Sequence, residues 1–183
     1  VHAEFPDDKD VCALFVEAMM NRTPWKLWNL PSGKAAAGAD TLEAIEVLEP
    51  AFLNPKAPDS DRHPGLLHMY IHLMEMSPHP ERALSIGDSL FDLAPDAGHL
   101  QHMATHIDVL CGSYQDVVSR NRSAIEADRK YLEREGTNNF YTVYCCHNIH
   151  FMVYGSMFLG QYNSAIQAAT MLRELLTDDV VRT

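Results

Sequence analysis

The chain predicts an all-α protein, and three observations carry that expectation. Apolar residues recur at the three-to-four-residue period of a helix over most of the length. No run alternates apolar and polar residues as a half-buried strand would. The periodic stretches are separated by short breaks rich in proline and glycine, the spacing of helices that turn back on their predecessors.

Taken in order, Phe5 to Asp8 reads as a helix-ending turn, and Val11 to Met20 then runs with helical periodicity. Thr23 to Asp40 holds Pro24, Trp25, Trp28, Pro31, Gly33 and Gly38 and reads as a loop, a lid or brace whose tryptophans pack on something. Thr41 is the expected N-cap of a helix reaching Leu53, and Asn54 to Asp61, with Pro55 and Pro58, ends it. Helical periodicity resumes over Leu66–Met76, Arg82–Leu93, His99–Leu110, Tyr114–Leu132, Tyr144–Phe158 and Tyr162–Leu176. Both ends look cut, so residues 1–183 are expected to form one helical-repeat domain within a longer chain.

Composition narrows the function classes. A net charge of −11, with only 14 Lys and Arg scattered singly, argues against a nucleic-acid or anionic-membrane surface, because both demand clustered cations. No apolar run is long enough to cross a bilayer. Cys12, Cys111, Cys145 and Cys146 form no C-x-x-C pair, which disfavours a cysteine zinc finger and leans toward a reduced, cytoplasmic setting. Cys145 and Cys146 read as small buried hydrophobes, with thiolate ligation the weaker alternative. Partners are then expected to be metal ions, together with a small-molecule or peptide ligand; oligomeric state is open.

The small anchors Ala44, Ala83, Val117 and Ala165 stand 39, 34 and 48 residues apart. Gly112-Ser-Tyr114 and Gly160-Gln-Tyr162 precede two of them, and Leu93-Ala-Pro95 closes a third helix. Together these resemble tetratricopeptide (TPR) helical repeats over nearly the whole chain, although no signature tryptophan stands in a first helix and Arg129 and Thr177 replace the closing proline. The resemblance implies a right-handed α-solenoid of three and a half to four antiparallel helix pairs, whose first helices line a concave groove.

Counting back from the last three anchors puts the histidines in phase. Fifteen residues before them stand His68, His102 and His150; eleven before, His72, His106 and Tyr154; eighteen before, Gly65, His99 and His147. In TPR proteins such slots face the groove, so the resemblance implies a histidine-walled hollow shared by adjacent repeats. In the opening repeat the matching positions include Asp10, Ala13 and Glu17, and Glu75 lies one turn beyond His72.

Imidazole is the commonest transition-metal ligand, and pairs four apart on a helix can chelate one ion. The expected ligands are therefore His68, His72, His99, His102, His106, His147 and His150, for one or two ions of copper, zinc or iron, with Glu17, Glu75 and Tyr154 as further groove residues. His2, His63 and His79 fall outside the phase and are expected to be loop or capping residues. Two function classes stay open. One is a metal-binding protein, extending to a metal-dependent oxidising or hydrolytic enzyme; the other is a non-catalytic peptide-binding scaffold with a histidine-walled groove.

Overall fold

The computed structural model describes residues 1–52 and 62–182; the expected turn at Asn54 to Asp61 lies outside them. The described chain is mainly helical and divides into two compact units, Val1–Ser89 and Leu90–Thr183. None of its helices is long and apolar enough to cross a membrane.

In the first unit, α1 (Lys9–Asn21), α2 (Thr41–Phe52) and α3 (Pro64–Met74) pack on one another. Asp8, expected to close a helix, opens one: its side chain accepts from the Val11 N–H at 3.1 Å. Thr41, expected to cap α2, is instead its first residue. It is fully buried and donates its hydroxyl to the Leu27 carbonyl at 2.5 Å. The tryptophan-bearing loop holds a two-stranded antiparallel ribbon, β1 (Trp28–Asn29) and β2 (Lys34–Ala35), too short to show as an alternating run. Trp28 braces it by donating its indole N–H to the Leu73 carbonyl at 2.6 Å, whereas Trp25 is 68% exposed. His63, expected to be a loop or capping residue, caps α3 by accepting from the Leu66 N–H.

A 3₁₀ turn at Pro80–Ala83 leads into α4 (Leu84–Leu93). The second unit continues with α5 (Gly98–Cys111), α6 (Tyr114–Glu135), α7 (Thr142–Phe158), α8 (Tyr162–Leu175) and the short α9 (Asp178–Arg182). α5 packs on α6, α6 on α7 and α7 on α8, and α5 also meets α7. The left-handed Gly112 ends α5, its N–H and that of Ser113 both returning to the Asp108 carbonyl, so α6 starts two residues later. Val118, Ile149, Met152 and Ala168 form an apolar core among α6, α7 and α8.

α6 runs three residues beyond its expected end at Leu132. Its inward stripe is Val117, Asn121, Ala124 and Asp128, all buried and spaced by four, three and four residues. Two of those four are polar, and each is hydrogen-bonded to a side chain of a neighbouring helix.

Candidate metal centre

α5 brings its histidines onto one face, as the spacing requires. His102 is fully buried, while His99 and His106 are half-buried. His102 is therefore not a wall residue of an open groove but part of the packed interior of α5, α6 and α7.

A buried imidazole needs partners for both nitrogens, since leaving one unmet costs about 1–3 kcal/mol. Asn121 on α6 supplies the first. Its amide nitrogen donates to the Val117 carbonyl at 2.7 Å, which turns its Oδ1 toward His102 Nδ1, also at 2.7 Å. The network thus assigns the proton of His102 to Nδ1 and leaves a lone pair on Nε2. Thr105 adds its Oγ1 at 3.2 Å from the same Nδ1. Burial, reinforced by the neighbouring His106, holds the His102 pKa well below its ordinary 6.5, so the ring is neutral.

The lone pair on His102 Nε2 faces His106 Nε2 at 3.0 Å, and His147 Nε2 of α7 lies 3.5 Å from the same His106 atom. Candidate ligand atoms of the three rings all fall within 4.8 Å of one another. Bonds of 2.0–2.1 Å at tetrahedral angles would place ligand nitrogens roughly 3.3 Å apart. The two measured separations bracket that value. One shared proton can satisfy one nitrogen–nitrogen contact, but a cation would satisfy a lone pair on each of the three rings at once. Phe151 packs against each imidazole, with ring centroids 4.7, 4.9 and 4.8 Å from His102, His106 and His147, and gives the cluster an apolar side.

The meeting of α5 and α7 departs from the repeat register. Anchors Val117 and Ala165 predict partners 48 residues apart, which would set His102 beside His150. Instead the ring contacts join His99 to Tyr144, His102 to His147 and His106 to Phe151, each pair 45 apart. At 1.5 Å per residue, three residues shift α7 by about 4.5 Å along its axis. His150 is consequently exposed, and Tyr154 is 43% exposed with its ring on Phe158. Neither joins the cluster.

What fixes this register is a second polar knot, at the start of α5. Ala97 provides no capping side chain, and the Asp128 carboxyl of α6 lies against the first turn instead. It accepts from Tyr141 Oη at 2.8 Å and from Asn148 Nδ2 at 2.7 Å, and Cys145 also bonds to it. Tyr141 in turn takes the His99 backbone N–H. Desolvation nevertheless raises the Asp128 pKa, against its three donors. Only glycine fits at position 98, because a Cβ there would sit 1.9 Å from Asp128 Oδ1. Cys145 thus faces Asp128 rather than the imidazoles, and burial pushes its thiol pKa up.

In the first unit, His68 and His72 share a face of α3 with ring centroids 4.8 Å apart. Glu75 accepts from His72 Nδ1 at 3.3 Å, and Trp25 meets the same ring edge-on at 6.0 Å. Glu17 is exposed on α1. His79 is exposed beside Glu81, and His2 stacks on Phe15.

No protein-family model matches the chain, and neither does a curated protein or a solved structure.

Asn121 and Asp128 were not among the expected site residues. The sequence does carry a signal for them: two polar residues seven apart, replacing apolar ones in the inward stripe of a helix.

Proposed function

We propose that the chain is a TPR-like helical-repeat protein whose second unit binds one transition-metal ion through His102 Nε2, His106 and His147. The observation that carries this reading is the convergence of three imidazoles whose candidate ligand atoms lie within 4.8 Å of one another, two of the separations being 3.0 and 3.5 Å, with one ring held in the metal-ready tautomer by a buried amide. An all-imidazole set suits zinc, copper or iron. Three protein ligands leave a fourth position for water or a substrate, as in catalytic rather than closed structural sites. Such an ion would activate water for hydrolysis or bind dioxygen, and the apolar flank of Phe151 would limit bulk water around it.

Elemental analysis of tag-free protein, purified without a chelating column, tests the reading. One equivalent of zinc, copper or iron is expected per chain. His106→Ala and His147→Ala should each lose more than the roughly 10–100-fold in affinity that removing an outer-shell partner costs, with helicity retained. His79→Ala should bind as the parent does. Protein that takes up no ion after reconstitution, or equal affinity in all three variants, would overturn it and favour a peptide-binding scaffold.

A further inference from the structure

We propose that α3 carries a second and separate ion site, formed by His68 and His72, in which Glu75 is the carboxylate that orients His72. The spacing His68-Met-Tyr-Ile-His72 puts the two rings one above the other on a single helical face. Their centroids lie 4.8 Å apart, and candidate ligand nitrogens of the two fall within 4.8 Å, so small side-chain rotations bring both onto one ion.

The carboxylate decides which nitrogen is offered. Glu75 Oε1 sits 3.3 Å from His72 Nδ1, which places the proton of a neutral ring there and leaves Nε2 as the ligand atom. A carboxylate behind a ligating imidazole is the usual outer-shell arrangement of protein metal sites, where it fixes the tautomer and raises ligand basicity. The contact is sheltered: the Glu75 side chain is 10% exposed and that of His72 is 19% exposed. Glu75 is the C-cap residue of α3, so its backbone position is set by the helix that carries both imidazoles. The whole unit is thus built from one helix and its last turn.

Two protein ligands leave the remaining positions to water, so this ion is held more weakly than one with three imidazoles. Among divalent ions the site favours Cu²⁺, which heads the affinity order for nitrogen ligands. The inference does not rest on the three-histidine reading, because none of its residues belongs to that cluster.

The experiment uses the full chain carrying His106→Ala and His147→Ala together, titrated with Cu²⁺ by calorimetry and followed by electron paramagnetic resonance. One Cu²⁺ per chain should remain, with hyperfine structure from imidazole nitrogen. Adding His68→Ala should abolish it, and adding Glu75→Gln should weaken it by roughly 10–100-fold, with the circular dichroism of the helices unchanged. No residual Cu²⁺ in the double variant, or residual Cu²⁺ indifferent to His68→Ala, would overturn the proposal. The two readings fail separately: an ion in the parent chain lost with His106→Ala alone leaves only the cluster standing, and one lost with His68→Ala alone leaves only the α3 site.

Discussion

Helices α3 and α5 carry the same His-x-x-x-His spacing, yet they place it in different surroundings. On α3 the partner of the pair is Glu75, from the same helix, and the imidazoles stay half-exposed. On α5 one imidazole is sealed inside, its partner is Asn121 from α6, and a third ring arrives from α7. Local sequence therefore supplies paired imidazoles in both places, and on α3 it also supplies the carboxylate that sets a tautomer, but only tertiary packing buries one ring and brings in a third.

The largest expected contrast lies at the glycines in the first turns of the two helices. Gly98→Ala would drive a Cβ to within 1.9 Å of the Asp128 carboxyl and 2.8 Å of the Ala124 carbonyl, neither of which can move far. It should destabilise the chain by about 3 kcal/mol, at the upper end of ordinary overpacking. Gly65→Ala meets the His63 ring at 3.0 Å and the Ala13 methyl at 3.2 Å and should cost well under half as much. Urea unfolding of both variants checks this, and equal costs would show that the start of α5 is not gripped as described.

Next comes the partner of the buried imidazole. Asn121→Ala strips the acceptor from His102 Nδ1 and should cost about 1–3 kcal/mol in metal-free protein. It should also weaken metal binding by roughly 10–100-fold. Melting in a chelator and ion titration measure the two effects separately. A stability loss without an affinity loss would mean that His102 is a core residue only.

The smallest effect is a pH dependence. Because the folded pKa of His102 is depressed by burial, its ring is neutral in both states above pH 6.5 and contributes no slope there. As pH falls below 6.5 the unfolded chain binds a proton that the folded chain refuses. Stability should then drop by up to about 1.4 kcal/mol per pH unit until the folded pKa is reached. Denaturant titrations with chelator at pH 7.5 and 5.5 should show a shallower loss in His102→Gln than in the parent; an identical loss would remove the depressed pKa from the account.

Helix content, the Gly112 and Gly160 breaks and the clustering of histidines were legible in the sequence, because each follows from local periodicity or a backbone preference. The place of His63 outside the repeat phase, as a loop or capping residue, was legible too. Beyond reach were the facts that depend on how helices meet. Equivalent repeat positions suggested His102 beside His150, but the knot around Asp128 sets α7 three residues away from that register and delivers His147 instead. Burial of His102 was equally hidden, since a histidine on an apolar face reads the same whether it lines a groove or fills a core. The ribbon at Trp28 and Lys34 is too short for any periodicity to reveal, and the exposure of Trp25 shows that a large aromatic in a loop need not be covered.

The burial of Cys145 against Asp128 gives the second unit a built-in clock. Its thiol is 1% exposed and held protonated, whereas Cys111 stands in solvent at the end of α5. A thiol reagent that modifies Cys111 at once can reach Cys145 only when α7 lifts from α6, so the lag between the two counts local openings of the helix that delivers His147. An ion bridging α5 and α7 would lengthen that lag by mass action, which makes a cysteine outside the imidazole cluster the reporter of how tightly its histidine neighbour is held.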